Sequence, residues 1–205
     1  MPSTFNCPQC GSPVPARVRY TKLIVCSSCG CSLLLEDDAV KHIGKRSIIA
    51  DYPSIFRLGG HYRYRHMAFT MQGRVQYDYG GGYWDEWWVI ADDGEGKWIS
   101  VDEGDISIEA PIAVAETPPA YDALQIGDSV SIGGQSLRVT EKDHCLCNGL
   151  EGQLPEVIFA GDRHRYVHCS GSGNTLFTLE YAEDRTYLYK GLWVDPFDIK
   201  VLSYG

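Results

Sequence analysis

Apolar and polar residues alternate over many short stretches of the chain, and no long stretch shows the roughly 3.6-residue period of a helix. Such alternation predicts β-strands, because successive side chains of a strand point to opposite faces of a sheet. Beyond residue 53 the predicted strands are 69–71, 73–79, 83–91, 97–101, 129–132, 135–141, 156–160, 166–169, 175–181 and 186–189. Glycine-, serine- and aspartate-rich turns separate them, so we predict a mainly β protein built from small antiparallel barrels or sandwiches.

The most aromatic stretch, residues 77–88, holds three of the five tryptophans together with the glycine triplet 80–82. Glycine reaches positive φ without strain and aromatic side chains favour strands, so this stretch predicts a β-hairpin. With the triplet as the loop, Tyr77 lies opposite Asp85 and Val75 lies opposite Trp87. In this register Tyr77, Tyr83 and Trp87 face the protein core.

The opposite face of this predicted hairpin suggests a binding surface. It carries Asp78, Trp84, Glu86 and Trp88, and aromatic rings beside carboxylates suit an ammonium or guanidinium group. The same register places Arg74 diagonally across from Glu86, where the two can form a salt bridge. An ordinary hydrophobic hairpin with one mixed face explains the same pattern, and the sequence leaves both interpretations open.

Two C-x-x-C pairs near the N-terminus, Cys7 with Cys10 and Cys26 with Cys29, have the spacing of a four-cysteine zinc site. The segment 1–36 is too short to bury a stable core unaided, so a bound metal would supply the missing stability. We therefore predict one structural zinc per chain in a fold similar to the zinc ribbons, with residues 16–25 forming a short hairpin. Four thiolate ligands close the coordination shell, which excludes a catalytic role for this metal.

Other uses of these cysteines fit less well. Redox C-x-x-C motifs open a helix in a βαβ setting that this sequence lacks, and disulfides are rare in cytosolic proteins. Cys31, two residues beyond Cys29, is interpreted as a spare thiol, although it could replace Cys29 as a ligand.

The turn and linker signals divide the chain into five segments. They are a zinc ribbon (1–36), a connector (37–52), a first β module (53–110), a Pro-rich linker (111–122) and a second β module (123–205). Gly59 and Gly127 each precede a similar apolar strand by ten residues, which suggests that the two modules repeat one fold.

The net charge of −9 argues against nonspecific binding to nucleic acid or to an anionic membrane. Residues 1–46 hold six basic and three acidic residues, so the ribbon alone is weakly basic. His61, Arg63 and Arg65 alternate along residues 61–66, which also have the pattern of a strand. This basic face could contact phosphate, but we interpret it as a solvated strand face. The first residues lack the pattern of a signal peptide and no apolar run is long enough to span a membrane, so we expect a cytoplasmic protein.

A second group of metal-binding or nucleophilic residues lies in the later half, at His144, Cys145, Cys147, His164, His168 and Cys169. Nothing in the sequence fixes the distances among them, and buried cysteines usually serve packing. They remain a candidate second metal site or an unrecognised catalytic site. No known catalytic motif occurs, so we favour a protein that is not an enzyme.

Residues 53–205 resemble the bacterial family catalogued as domain of unknown function 4178. The matching blocks are Tyr83-Trp84-Asp85-Glu86-Trp87, Asp93-Gly94 followed by Trp98, Glu151-Gly152-Gln153-Leu154-Pro155 and Leu188-Tyr189-Lys190-Gly191. The resemblance implies a β-rich domain, and some members carry a similar ribbon. It implies no activity, but members tend to be encoded beside polyamine-synthesis enzymes and small membrane proteins.

From these observations we predict a non-catalytic binding or adaptor protein that uses its ribbon and exposed hairpin aromatics to contact a protein partner. The resemblance adds a membrane-associated complex as one setting for that partner. The alternative is a sensor or binder of a polyamine-like cation through Asp78, Trp84, Glu86 and Trp88. An enzyme with an unrecognised site is the third hypothesis.

Overall fold

A computed structural model describes residues 3–16, 20–36, 39–47, 49, 53–182 and 185–204. Sixteen β-strands make up most of this part of the chain, and every strand pair is antiparallel. The prediction of a mainly β protein is therefore confirmed. None of the helices in the described residues is long and apolar enough to cross a bilayer.

The N-terminal part contains five short strands. They are β1 Ser3–Asn6, β2 Pro13–Ala16, β3 Leu23–Val25, β4 Cys31–Glu36 and β5 Ala39–Arg46. The predicted hairpin at 16–25 is wrong, because β2 pairs with β1 and β3 pairs with β4. Residues 17–19 of that prediction lie outside the described residues. So do 37–38, 48 and 50–52 of the predicted connector, whose middle forms β5.

Eleven further strands follow. They are β6 His61–Tyr64, β7 Met67–Asp78, β8 Tyr83–Ala91, β9 Gly96–Asp102, β10 Asp105–Pro111, β11 Ser129–Ile132, β12 Gln135–Leu154, β13 Arg163–Ser170, β14 Thr175–Tyr181, β15 Thr186–Val194 and β16 Ile199–Ser203. Two single-turn 3₁₀ helices, Tyr121–Ala123 and Pro196–Asp198, interrupt them. Residues 183–184 of the predicted turn before β15 lie outside the described part.

Eight of these strands close into a ring in the order β7, β8, β9, β10, β15, β14, β13, β12 and back to β7. Two pairings join the halves of the chain: Glu109 of β10 lies opposite Gly191 of β15, and Val75 of β7 lies opposite Leu150 of β12. An eight-stranded ring has an interior that side chains or one small ligand can fill. The two segments predicted as β modules thus contribute four strands each to one barrel.

The side chains that face the inside of this ring form the lumen. Its apolar part includes Val75, Tyr77, Trp84, Trp88, Trp98, Cys145, Cys147, Leu150, Tyr166 and Tyr189. Two other apolar clusters cover the outside: one packs β6 and β16 against β7 to β10, and one packs β11 and the chain around Leu124 against β13 to β15. The strands are therefore buried on both faces over much of their length, including the polar residues that alternate with the apolar ones.

The N-terminal part extends the barrel sheet. Strand β3 pairs with the end of β12, where Leu23 lies opposite Leu154. Leu23 is fully buried among the lumen residues, and the ring of Tyr20 meets the ring of Trp88 edge-on at 6.1 Å. The ribbon therefore covers apolar surface of the barrel.

Candidate functional site

The hairpin of β7 and β8 forms as predicted, but its register is shifted by one residue. Tyr77 lies opposite Trp84, and Val75 lies opposite Glu86. The loop contains Tyr79 as well as the three glycines, since the backbone N–H of Tyr79 bonds to the carbonyl of Gly82. A one-residue shift exchanges the faces of one strand relative to the other, so the predicted pairing of faces is wrong.

The predicted cation-binding residues are brought together only in part. Trp84, Glu86 and Trp88 share one face of β8, but that face lines the lumen, and both tryptophans are buried. Asp78 lies opposite Tyr83 on the other face of the hairpin, and its carboxylate accepts a bond from the backbone N–H of Gly80. The expectation of an exposed platform is therefore wrong, because the ring closes over this face.

The predicted salt bridge between Arg74 and Glu86 is also wrong. With the observed register, Arg74 shares its face with Asp85, and its Nη2 lies 2.6 Å from Asp85 Oδ2. Both side chains are buried outside the ring. Glu86 instead accepts a hydrogen bond from the indole Nε1 of Trp84 at 3.2 Å.

Inside the barrel, carboxylates from three different strands surround one small cavity. Its lining residues are Glu86, Trp98, Ser100, Glu109, Thr178, Glu180 and Tyr189. The lining thus contains three carboxylates and two aromatic rings but no lysine or arginine. The cavity has room for about one water-sized group, with a volume of about 10 Å³.

Two of the lining groups have unused hydrogen-bonding capacity. Glu109 Oε1 accepts a bond from Ser107 Oγ at 3.0 Å, whereas Glu109 Oε2 and Thr178 Oγ1 lack a partner in full hydrogen-bond geometry within the described part of the chain, although Thr178 lies near enough to Glu109 to lower the pKa of its carboxyl group. Both residues are only 6 % exposed. Buried polar atoms are almost always satisfied, so a pair of unsatisfied atoms at one cavity indicates a missing partner.

A glycine positions Glu109. A Cβ atom at Gly191, directly opposite on β15, would collide with the carbonyl oxygen of Ile108 and with the Glu109 side chain. The absence of a side chain at residue 191 therefore lets Glu109 lie across the neighbouring strand inside the ring.

The cluster raises the pKa values of its own carboxyl groups. Burial, followed by repulsion from Glu109, raises the pKa of Glu86 to about 7. Burial also raises the pKa of Glu109, and it raises the pKa of Glu180 well above the usual value with further repulsion from Glu86. Carboxylates repel one another when no positive charge neutralises them, so these groups tend to bind protons or another cation.

One basic group lies next to the cluster. Burial lowers the pKa of His168, but the hydrogen bond to Glu141 at 3.0 Å and the nearby acids outweigh it and raise the pKa overall. The same bond lowers the pKa of Glu141, which also accepts a bond from Tyr166. The His168 charge is shared between Glu141 and the cluster, where it partly offsets the raised pKa of Glu109. Another acid, Glu156, adds to the repulsion on Glu86 and Glu180, and Lys22 offsets part of its charge.

Sequence reasoning missed Glu109, Glu180 and Tyr189. Each occupies an alternate position of a strand, as in Ser107-Ile108-Glu109, and a polar face is normally interpreted as the solvent side. The signal that was available is that similar carboxylates recur on the polar faces of several strands. Only the closure of the ring turns these faces inward.

Four cysteines form a second site in the N-terminal part. The Sγ atoms of Cys7, Cys10, Cys26 and Cys29 all lie within 4.8 Å of one another. Two of the separations, Cys7 to Cys29 and Cys10 to Cys26, are 3.8 and 3.7 Å. Sulfur atoms at the corners of a tetrahedral zinc site lie about 3.8 Å apart, given zinc–sulfur bonds of about 2.3 Å. These cysteines can therefore hold a metal ion.

Each C-x-x-C pair is shaped by the glycine that follows it. Gly11 and Gly30 have φ of 75° and 72°, and their N–H groups bond to the carbonyl oxygens of Cys7 and Cys26 at 2.8 Å. Such turns leave backbone N–H groups free to point at sulfur. Although burial opposes the thiolate, backbone hydrogen bonds from Cys10 and Gln9 lower the pKa of Cys7 to about 6.

The fifth cysteine of this region, Cys31, lies against the cluster. Its Sγ is 3.4 Å from that of Cys7 and 3.2 Å from that of Cys29. Burial and the neighbouring thiols raise its pKa. Burial raises the pKa of Cys26 as well, so the sulfur distances, and not the pKa values, distinguish the four clustered cysteines from Cys31.

The structure brings the other candidate cluster together only in part, since Cys145 lies directly opposite His164 on the lumen side of β12 and β13. Cys145 and Cys147 face the lumen, where burial raises the pKa of both thiols, whereas Cys169 belongs to the outer cluster beside β11. The side chain of His144 is exposed and lies 3.0 Å from Asp143. Among the described residues, the four N-terminal cysteines are the only group of three or more metal-ligating side chains at metal-binding distance.

The comparisons with known proteins agree with the resemblance noted in the sequence. A family model described as a domain of unknown function, DUF4178, matches residues 57–196, more than half of the chain. No curated protein and no solved structure matches the chain. The matched segment begins before β6 and ends after β15, so it includes the whole ring and excludes the cysteine cluster. On this evidence the chain belongs to the DUF4178 family.

Proposed function

We propose that the barrel binds a small organic cation whose ammonium group enters the lumen between Glu86, Glu109 and Glu180. The observation that carries this proposal is the unsatisfied oxygen of Glu109 at a cavity lined by three carboxylates. An ammonium group donates three hydrogen bonds, and it would satisfy Glu109 Oε2 while Thr178 Oγ1 donates to a carboxylate.

The geometry favours an ammonium group over a metal ion. Carboxylate cages for calcium or magnesium place their oxygen atoms within the coordination distance of a single point. Within the described residues, the lumen carboxylates do not gather in this way, whereas the cysteine sulfur atoms do. Acids that are spread around the cavity, with Trp98 and Tyr189 as aromatic walls, suit an ammonium group with an alkyl chain.

The size of the cavity limits which part of the cation can enter it. The free space holds about one water-sized group, so the ammonium group fits but the carbon chain does not. The rest of a diamine or polyamine must therefore extend beyond this cavity or displace side chains. A polyamine-like cation is the favoured ligand because members of the family that the sequence resembles tend to be encoded beside polyamine-synthesis enzymes.

Binding should also release protons. The raised pKa values of Glu86, Glu109 and Glu180 mean that protons partly neutralise the empty cluster near pH 7. A bound ammonium favours the ionised carboxylates and displaces these protons. The affinity for the cation is therefore expected to rise with pH between about 6 and 8.

Thermal unfolding with added putrescine or spermidine tests the proposal. We expect a saturable rise in Tm, larger at pH 8 than at pH 6, because a ligand that binds only the folded state stabilises it. The Glu109→Gln variant should lose most of this rise. Glu95→Gln, in an exposed turn, is the matched control for nonspecific binding to this acidic protein. An equal rise for both variants, or with a neutral diol, would contradict a site in the lumen.

For the N-terminal part we propose a structural zinc ion held by Cys7, Cys10, Cys26 and Cys29. The four-thiolate donor set and the near-tetrahedral sulfur spacing support zinc, which combines preference for sulfur with this geometry. Bound there, zinc would hold the two C-x-x-C turns together. Strand β3, which covers the lumen core at Leu23, would thereby be fixed in place.

An adaptor role is a second proposal, with a different contact surface from the one predicted from the sequence. The hairpin tryptophans are buried, whereas β16 lies at an edge of the sheet order and carries Val201 and Leu202 at 45 % and 42 % exposure, with Phe197 at 94 % just before it. Exposed apolar residues on a sheet edge suit pairing with another protein. A pull-down that compares wild type with Phe197→Ser tests whether this edge retains a partner.

A further inference from the structure

A larger cavity lies outside the ring, independent of the lumen. It is lined by the β6–β7 turn (Tyr64, Arg65, His66 and Met67) and by residues of β9, β10 and β15 (Lys97, Ile108, Glu109, Ala110, Lys190, Gly191 and Leu192). Its volume of about 390 Å³ lies within the range of about 300–1,000 Å³ that is typical of small-molecule pockets.

The charge at this cavity is opposite to that of the whole chain. The chain carries 27 acidic and 18 basic residues, yet Arg65, Lys97 and Lys190 meet here with His66. Within the described residues, no carboxylate forms an ion pair with Arg65, Lys97 or Lys190. The one acid in the lining is Glu109, and the alternation along β10 directs its side chain into the lumen.

The walls of the cavity are mainly apolar. Met67, Ile108 and Leu192 supply aliphatic surface, and Tyr64 supplies a ring over which the Arg65 guanidinium lies at 5.1 Å. The Lys190 ammonium also lies 5.4 Å from the centre of the Phe177 ring, so it is shared between that ring and the cavity. Cationic side chains around aliphatic walls recognise a molecule with an apolar body and an anionic head group. Neither a bare inorganic anion nor a neutral lipid uses both features.

The backbone of the lining strands limits which anionic head group the cavity can bind. The N–H groups of β9, β10 and β15 are engaged in the sheet ladders, so these three strands offer only side chains to an anion. Phosphate sites usually add several backbone N–H groups, often at a helix N-terminus, and no such element lines this cavity. A carboxylate needs less charge compensation and matches the planar fork of an arginine.

The conformation of Arg65 is a further observation. Its φ is 52°, in the left-handed region that costs a non-glycine residue about 1–2 kcal/mol. Glycine would fit this turn without strain, but it would remove a cation from the mouth of the cavity. Glu103, in the two-residue turn between β9 and β10, has a similar φ of 48°, so the strain follows from the hairpin turn, and only the presence of a cation at residue 65 bears on binding.

We propose that this outer cavity binds a small amphiphilic carboxylate, with its head group at Arg65, Lys97 and Lys190 and its apolar part against Met67, Ile108 and Leu192. The site lies on the opposite face of β10 from the lumen. Its ligand has the opposite charge to the proposed lumen ligand, so the two proposals stand or fail separately.

Fluorescence of the anion anilinonaphthalene sulfonate, followed by displacement with decanoate, tests this site. We expect decanoate to displace the dye, and decanol and decyltrimethylammonium to do so at least about tenfold more weakly, because only decanoate satisfies the cations. Equal displacement by decanol would mean that the cavity binds apolar molecules without regard to charge. Displacement by decyl phosphate but not by decanoate would overturn the assignment of a carboxylate.

Variants locate the binding. Lys97→Gln combined with Lys190→Gln should weaken decanoate binding at least about tenfold. Lys200→Gln, an exposed strand lysine on β16 outside this cavity, is the matched control and should bind as wild type does. Arg65→Gly should weaken binding while Tm stays equal or rises, since it relieves the left-handed turn. Wild-type affinity in the Lys97 and Lys190 double variant would exclude this cavity.

Discussion

The guanidinium of Arg74 and the carboxylate of Asp85 form a buried ion pair, with Nη2 and Oδ2 2.6 Å apart. Gln76 donates a second bond to the same carboxylate at 3.3 Å. The pair forms because the observed hairpin register puts both residues on the outer face of β7 and β8. In the register predicted from the sequence, the two residues would lie on opposite faces.

Removing one partner of this pair should be costly. We expect Asp85→Ala to lower the free energy of unfolding by about 3–5 kcal/mol, because the buried arginine loses its close partner and keeps only the half-exposed Glu151, 3.7 Å from its Nη1, as a counter-charge. Denaturant unfolding measures the loss. Asp122→Ala, at an exposed position, should cost less than about 0.5 kcal/mol. A small loss for Asp85→Ala would mean that Glu151 or solvent fully compensates the Arg74 charge.

The hairpin tryptophans give a second stability prediction. Trp87 is buried outside the ring and Trp84 inside it, where its ring centre lies 5.1 Å from that of Tyr77 and 5.2 Å from that of Tyr166. Each change to alanine should cost about 3–5 kcal/mol, since each leaves a large cavity. Tyr83→Ala, at 37 % exposure, should cost clearly less. A small loss of stability for Trp84→Ala alone would indicate that Trp84 is exposed, as in the register predicted from the sequence.

The lumen acids predict how stability depends on pH without a ligand. The pKa of Glu86 is 4.5 before folding and about 7 in the barrel, so the folded state binds the proton more tightly. Its contribution to stability is complete below pH 4.5 and is lost as the pH rises through 7. The raised pKa values of Glu109 and Glu180 act in the same direction.

Tm should therefore fall between about pH 5 and pH 8, and Glu86→Gln should flatten this fall. Glutamine keeps an acceptor for the Trp84 indole but cannot ionise. Glu95→Gln should leave the profile unchanged. A Tm that rises over the same range, or a Glu86→Gln profile identical to wild type, would show that the acids are neutralised in another way.

Metal content tests the cysteine site. Elemental analysis should give about one zinc per chain, lost in Cys10→Ser and kept in Cys31→Ser, because Cys31 lies beside the four ligands without completing the tetrahedron. Two zinc ions per chain would require a second site, for which Cys145 and Cys147 are the candidates. Loss of zinc from Cys31→Ser alone would make Cys31 a ligand in place of Cys29.

Zinc removal should also weaken the barrel. Leu23 is buried in the lumen core and β3 pairs with β12, so disorder in the ribbon exposes apolar surface of the ring. We expect a chelator to lower the Tm of the whole protein. An unchanged main transition would mean that the barrel is stable without its ribbon.

The sequence predicts most strands of the ring and the clustering of the four cysteines, since both depend on local patterns, but the predicted strand at 156–160 is wrong and β10 was not predicted. Alternation places β8 at 83–91, and C-x-x-C spacing identifies the four cysteines that meet in space. The predicted hairpin register is wrong by one residue, because a glycine triplet does not specify whether the loop also includes Tyr79. The lumen was missed because Glu109 and Glu180 come from distant segments, and their meeting depends on ring closure rather than on any local signal.

Ring closure also has a consequence for biosynthesis. Strand β10 ends at Pro111, but its partner β15 ends at Val194, 83 residues later. At about 5–20 residues per second, a ribosome needs about 4–17 s to make the intervening chain. During that interval β10 has an unpaired edge and the apolar face of β8 has no opposite wall. The nascent first half is therefore the stage at which this protein is most prone to aggregate, and a chaperone that shields strand edges would help it most.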